Sequence, residues 1–284
     1  MIKVSKLEFA YRQSLNKAVD GIDFTINAGE IFGFLGPSGA GKTTTQRVII
    51  GLLRGYSGSV EVIGKERKAW GKDIFEKIGV AFDFPNLYEK LTAYENLDLL
   101  GSYYKNNSSN KDELLDSVGL LPDRDKRVEK FSKGMKMRLN FIRSIMHDPE
   151  LLFFDEPTSG LDPVNARIIR EMILMLKKRG KTVFLTTHNM LEADYLCDRV
   201  AFIVEGKVPV IESPAELKLE HGQKTIKIAY SDENGVHEEQ FPVSGIGVNG
   251  RFMEILNRYE LRTMHTQEAT LEEIFIKLTG RELA

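Results

Sequence analysis

The chain opens on alternation. Leu7, Phe9 and Tyr11 share one parity, and "GIDFTI" sets Ile22, Phe24 and Ile26 on one face. "AGE" ends the pattern, so this start predicts short antiparallel strands, each half buried. "EIFGFL" is apolar on both parities and predicts a strand covered on both faces. "TTTQRVIIGLL" then takes helical spacing, with Val48 and Leu52 on one side, and "SGSVEVIG" returns to a strand. From about residue 88 to residue 146 the spacing is helical in "TAYENLDLLGSYY", "KDELLDSVGL" and "KGMKMRLNFIRSIM", with polar "KNNSSN" as a loop between the first two. "ELLFFDEP" is another doubly covered strand. A helix ("VNARIIREMILMLKKRG"), a strand ("KTVFLTTH"), a helix ("MLEADYLC") and a strand ("RVAFIVEGK") follow. Strands alternating with helices predict an α/β parallel sheet.

Beyond "SPAELK" the character changes. "KTIKIAY", the turn-former "DENG" and "VHEEQF" read as a hairpin. "RFMEILNRY" reads as a helix. In "ATLEEIFIKLTG", Leu271, Ile274, Phe275 and Leu278 fall at i, i+3, i+4 and i+7; Thr270 with Glu273 makes a capping box, and Gly280 is a stop. The expected division is 1–221 and 222–284, the second part a small α/β accessory domain.

Composition narrows the function. Among 284 residues the net charge is −2, so no global basic footprint marks a nucleic-acid binder. Cys197 is the single cysteine, which excludes an intrachain disulfide and a cysteine-based zinc cluster and fits a reducing cytosol. The start has no apolar core of a secretion signal. No apolar run approaches ~18 residues, so any service to a membrane is expected through a partner.

Between the "EIFGFL" strand and its following helix lies "GPSGAGKT", which fits G-x-x-x-x-G-K-[ST] without a mismatch. In such a loop Gly36, Pro37, Ser38, Gly39, Ala40 and Gly41 curl around the phosphate, the backbone N–H groups of all but Pro37 pointing toward its oxygens, and the helix adds its positive end. Lys42 would reach the β- and γ-phosphates and Thr43 would ligate Mg²⁺, with Thr44 beside it. The plain alternative is a strand-to-helix turn carrying a surface lysine. GTPases and small-molecule kinases share this loop, but "NKAV" and "NKDE" both miss the final Asp of a guanine-reading N-K-x-D. "LLFFDEP" ends a buried strand in two carboxylates. Asp155 would hold the hydrated Mg²⁺, and Glu156 would act on the water attacking the γ-phosphate; a solvated acidic strand end is the alternative. In "FSKGMKMRL", Ser132 caps a helix, and capping alone accounts for it; Ser132 with the N–H groups of Lys133 and Gly134 would otherwise form a second phosphate site. His188 ends the strand of "FLTTHNM", where open α/β sheets bind ligands, and a γ-phosphate contact is expected there.

Taken together these stretches resemble the ATP-binding subunit of an ABC transporter. "GPSGAGKTT" matches Walker A, "LLFFDEP" Walker B with its catalytic glutamate, "FSKGM" the signature, "SGLDP" the D-loop and "LTTH" the switch-histidine loop, in family order over residues 3–220. The tail "ATLEEIFIKLTGREL" resembles the C-terminal extension of multidrug-exporter-type subunits. The resemblance implies a P-loop NTPase α/β core with an antiparallel β subdomain, an inserted helical subdomain at about 88–146, and ATP and Mg²⁺ as ligands. It implies two copies packed head to tail, with Ser132 and Gly134 of one meeting the γ-phosphate held by Lys42 of the other. Tyr11 falls where the family stacks an aromatic on adenine; its parity with Leu7 and Phe9 also allows a core role.

Two departures stand out. Asp83 occupies the Q-loop position, where the family has glutamine, and is either a third ligand to the metal or its water, or a solvated loop residue. In the signature, Lys133 replaces a glycine and Met135 a glutamine. The implied function is an ATPase that drives a separate transmembrane subunit, in the export direction, from the cytoplasmic face of the membrane. The segment Phe84 to Asn96 would touch that subunit. The rival is a soluble ABC ATPase acting on ribosomes or nucleic acid. Such proteins usually carry two cassettes or a long coiled-coil insertion, and neither is present here. A P-loop kinase would have no use for the signature and D-loop.

Overall fold

A computed structural model describes all residues except 13, 15, 106–108, 223, 234 and 282–284. The middle of the "KNNSSN" loop, Asn234 of the "DENG" turn and the last three residues of the expected accessory domain lie outside the described residues. The chain divides into two compact units, one ending at Ser213 and one beginning at Pro214.

In the first unit, β1 (Ile2–Phe9) and β2 (Val19–Ile26) pair antiparallel, with Val4 opposite Phe24. β3 (Ile31–Leu35) is buried throughout, as its unbroken apolar run requires. α1 (Lys42–Ile50) follows the glycine loop and stops at Gly51, whose left-handed backbone closes it. Leu52, expected on the buried side of this helix, lies past that stop and is exposed. β4 (Ser57–Val62) pairs with β1 and β5 (Lys65–Glu66) with β4. β6 (Ile78–Ala81) precedes the helical insertion of α2 (Ala93–Gly101), α3 (Lys111–Ser117) and α4 (Lys133–Ile145). Thr92, Asn110 and Ser132 cap these three helices through their side chains. β7 (Leu151–Asp155), α5 (Pro163–Lys178), β8 (Thr182–Thr187), α6 (Met190–Leu196), β9 (Arg199–Val204) and β10 (Lys207–Glu212) complete the unit.

One sheet runs β10-β9-β3-β8-β7-β6, parallel except for the β9-β10 hairpin. The other, β2-β1-β4-β5, is antiparallel. They share a core: the Phe24 ring of β2 lies 5.7 Å from Phe32 and 5.4 Å from Phe34 of β3. β6 and β10 escape the sequence pattern. "IGVA" is too short to show a period, and "KVPVIE" is an edge strand with a proline and little burial on either face.

The second unit comprises α7 (Pro214–His221), β11 (Thr225–Asp232), β12 (Gly235–Pro242), α8 (Gly250–Arg258), β13 (Glu260–Gln267) and α9 (Leu271–Thr279). Its antiparallel sheet runs β12-β11-β13. Ile228, Tyr230 and Phe241 pack against Phe252 and Ile255 of α8. β13 is exposed at every position, which is why "ELRTMHTQ" carries no strand signature. The capping box of α9 forms, and Gly280 closes it in the left-handed conformation. α7 lies against α9, so the structural break falls before α7 and the expected division at 221/222 falls after it. The whole is the expected α/β architecture: parallel core, antiparallel β subdomain, helical insertion and a small α/β extension.

Candidate nucleotide site

Parallel pairing delivers the site. β3 and β7 both pair with β8, Leu35 opposite Thr187 and Asp155 opposite Thr186. The glycine loop, the two carboxylates and His188 therefore leave the same edge of one sheet, although they are far apart in sequence.

The loop is pressed against its neighbours. A Cβ on Gly36 would stand 2.1 Å from the carbonyl oxygen of Ile203, and one on Gly41 2.5 Å from that of Ala18. Gly41 also has φ +113°, so glycine alone fits there. Lys42 is buried and arcs back over the loop, Nζ donating to the carbonyls of Gly36 at 2.5 Å and Pro37 at 3.0 Å. Burial lowers its pKa, while the charges of Glu156 and Asp155 act against that shift. α1 starts without a side-chain cap or an acid in its first turn, so no side chain of its own satisfies its leading N–H groups. Ser38 and Gly39 form the exposed rim.

Thr43 Oγ1 donates to Asp155 Oδ2 at 3.0 Å, and the Thr186 hydroxyl donates to Oδ1. Burial raises the pKa of Asp155; the charges of Asp83 and Glu156 add to this, and the two hydroxyls oppose it. A divalent cation would relieve that burden. Glu156 has φ +49°, a strained conformation for a non-glycine residue. Its N–H bonds the Thr186 carbonyl at 2.9 Å. That turn aims its carboxylate at the end of β8. Oε1 accepts from the His188 N–H at 2.9 Å and lies 2.7 Å from His188 Nδ1, while Oε2 accepts from Thr187 Oγ1 at 3.1 Å. His188 Nε2 has no partner among the described residues.

Tyr11 does not join the core. The alternation ends at Phe9, and Tyr11 is 42% exposed, edge-on to Phe9 with its hydroxyl 3.1 Å from Thr44 Oγ1. It stands beside the phosphate loop. Asp83 is exposed, with Oδ1 accepting the Phe84 N–H at 2.8 Å, yet its charge still acts on Asp155. Ser132 Oγ accepts the Met135 N–H at 3.2 Å, which is capping. Lys133 lies across Gly160, where a Cβ would come within 3.0 Å of Nζ. No hydrogen bond joins Ser132, Lys133 or Gly134 to the phosphate loop among the described residues. Nor does any cluster of three or more His, Cys, Asp or Glu side chains form a metal cage among them. A metal here would rely on Thr43, Asp155, phosphate oxygens and water, with Asp83 near enough for its charge to act on Asp155, which suits Mg²⁺. Sequence reasoning missed Thr186 and Thr187, which hold the two carboxylates, and Glu192, whose Oε2 lies 3.5 Å from the Thr187 hydroxyl. Hydroxyls inside a buried strand were the available signal.

The family model described as ABC transporter matches residues 19–159, and that of the fluoroquinolone efflux ABC transporter C-terminal domain matches residues 224–268. The chain is 49% identical to a fluoroquinolones export ATP-binding protein of Mycobacterium tuberculosis, over 100% of this chain and 94% of that one. It is 35% identical to a bacitracin transport ATP-binding protein of Bacillus licheniformis, over 99% of this chain and 97% of that one. A solved ATP-binding cassette, a dimer in a post-hydrolysis state bound to ADP and Pi, superposes with a TM-score of 0.69 at 26% identity, covering 75% of this chain and 98% of its own. The chain belongs to the ABC transporter ATP-binding subunit family, and it binds and hydrolyses ATP. No helix among the described residues is long and apolar enough to cross a membrane.

Proposed function

We propose that two copies of this ABC ATPase close head to tail on Mg²⁺-ATP and drive a separate transmembrane permease in the export direction. The observation that carries this is the convergence of Thr43, Asp155, Glu156 and His188 beside the loop, while no hydrogen bond joins Ser132–Gly134 to it among the described residues. Loop amides from Gly36 to Thr44 and Lys42 hold the phosphates. Thr43 and Asp155 hold Mg²⁺, with Asp83 as a further ligand to the metal or its water. When bound, Mg²⁺ draws charge off the phosphate oxygens. Glu156 accepts the proton of the attacking water, and His188 both orients Glu156 and meets the γ-phosphate. Ser132, Lys133 and Gly134 close the site from the second copy, and Tyr11 stacks on adenine. The cargo direction rests on the match of residues 224–268 to an efflux-type C-terminal domain and on the export and transport names of the relatives. The permease would meet the apolar groove of 260 Å³ lined by Leu52, Phe75, Phe82 and Tyr103, and exposed Phe84 beyond it. It would hold the chain at the cytoplasmic face of the membrane. A net charge of −2 gives no reason to expect nucleic acid.

The test uses cells carrying the chain and its permease. Wild type should lower fluoroquinolone accumulation, and Lys42→Ala should not. Equal accumulation, with ATPase activity intact in the purified protein, would refute export of that drug class while leaving the ATPase standing.

A further inference from the structure

A second acid lies behind the reacting edge. Glu192 of α6 is 2% exposed. The N–H of Asn189, which a capping-box carboxylate at this position would accept, is taken by Thr187 Oγ1 at 3.0 Å, so the side chain does not serve as a cap. Oε2 accepts from Thr158 Oγ1 at 2.9 Å and lies 3.5 Å from Thr187 Oγ1. Oε1 is buried and has no hydrogen-bond partner among the described residues. Burial raises its pKa, the charge of Glu156 adds to that, and Thr158, Arg170 and Thr187 oppose it. An unpartnered buried polar atom is costly, and a leucine would fill the volume without that cost. A carboxyl that weakens the fold at this place calls for another role.

Thr187 supplies one. Its Oγ1 accepts the Asn189 N–H at 3.0 Å and carries a single proton, with Glu156 Oε2 at 3.1 Å and Glu192 Oε2 at 3.5 Å. One proton cannot serve both acids. The shorter contact assigns it to Glu156, and Glu192 is the group that competes for it. The same oxygen, Oε2, also accepts from Thr158, which opens the loop running through Gly160 to Asp162. Lys133 of the helical insertion crosses this loop at Gly160.

We propose that Glu192 is a positioning residue for hydrolysis, joining Thr158 and its loop to Glu156 through the Thr187 hydroxyl. A shift of the loop alters how far Glu192 draws the Thr187 proton away from Glu156, and so how freely Glu156 accepts a proton from water. Without Glu192 the Thr187 hydroxyl bonds Glu156 undivided and lowers its basicity. This rests on Glu156 being the base. It requires an oxygen acceptor at position 192, not a charge. Glu192→Gln keeps that acceptor and the volume; Glu192→Leu keeps only the volume.

The experiment measures steady-state Mg²⁺-ATPase activity, fluorescent ATP-analogue binding and thermal unfolding on the full chain. Glu156→Gln is assayed alongside. Glu192→Leu should lose about tenfold or more in kcat, equivalent to about 1.4 kcal/mol, with ATP affinity changed less than about twofold and Tm unchanged or raised. Glu192→Gln should stay within about threefold of wild type. Thr158→Val should lower kcat in the same direction, and adding it to Glu192→Leu should lower it no further. If Glu192→Leu does not fold, Thr158→Val against wild type decides. A wild-type kcat in Glu192→Leu or in Thr158→Val, or equal damage from Gln and Leu, overturns the proposal. If instead Glu156→Gln hydrolyses at the wild-type rate, the assignment of the base fails first, and that result is distinct from the others.

Discussion

Consider Thr186→Val. The replacement nearly keeps the volume and deletes one hydroxyl. Thr186 is fully buried, and its hydroxyl donates to Oδ1 of Asp155, itself 2% exposed. A hydrogen bond to a charged group is worth about 1.5–3 kcal/mol. The unfolding free energy at pH 7.5 should therefore fall by about 2 kcal/mol. The sign with pH follows from the direction of the shift. Burial holds the Asp155 pKa above its unfolded value, so the fold keeps this proton at a pH where the unfolded chain has lost it. Stability drawn from this group falls as pH rises from the unfolded pKa, about 3.9, through the raised folded one, and is level above. Losing the Thr186 bond raises the folded pKa further and deepens that fall. The deficit of Thr186→Val should be full at neutral pH and shrink as pH drops through the folded pKa. Thr43 still holds Oδ2, but Asp155 loses its second anchor. The Mg²⁺ concentration for half-maximal ATPase should rise about tenfold, equivalent to about 1.4 kcal/mol. Urea unfolding of both proteins from pH 3.5 to 8, with Mg²⁺ titrations of activity, checks both parts. Equal urea midpoints at pH 7.5, or a deficit that grows in acid, would refute the reasoning.

Asp83→Gln removes a charge that bears on Asp155, and Asp83→Asn does the same; both should alter the Mg²⁺ dependence of hydrolysis with ATP still bound. If both match wild type in ATP affinity, Mg²⁺ dependence and transport, Asp83 is a solvated loop residue. A chain ending at Ser213 should fold and bind ATP, because the phosphate loop and its partners lie wholly in the first unit. A soluble, folded truncation without ATP binding contradicts that division. Lys42→Ala and Ser132→Arg, each inactive alone, should recover activity when mixed, since some pairs would hold one intact site. Absence of recovery together with absence of an ATP-dependent crosslink between Ser132→Cys and Ser38→Cys copies would count against a shared site.

Much of this was legible because buried strands write themselves as apolar runs. "IFGFL", "LLFFD" and "TVFLTT" are buried from end to end, and each runs into residues proposed for the chemistry. What stayed hidden had no period to read. β13 exposes all its positions, β6 has four residues, and β10 is an edge. Leu52 misled because helical spacing continued past Gly51, where the left-handed backbone ends the helix. For Tyr11 only the core alternative fails, because the parity it shares with Leu7 and Phe9 persists in print after the strand has ended. The Glu156–His188 contact joins residues brought together only by strand order. Nothing in the sequence sets Glu192 apart, and only burial and its neighbours mark it out.

The central claim is that ATP is bound between two copies and that Glu156 ends that state. The most direct measurement is analytical ultracentrifugation of Glu156→Gln with Mg²⁺-ATP, with bound nucleotide quantified in each species. The account predicts a stable dimer holding one unhydrolysed ATP per chain, which Ser132→Arg in the same background dissolves. A Glu156→Gln protein that stays monomeric with ATP bound, or that hydrolyses ATP as fast as wild type, would contradict it.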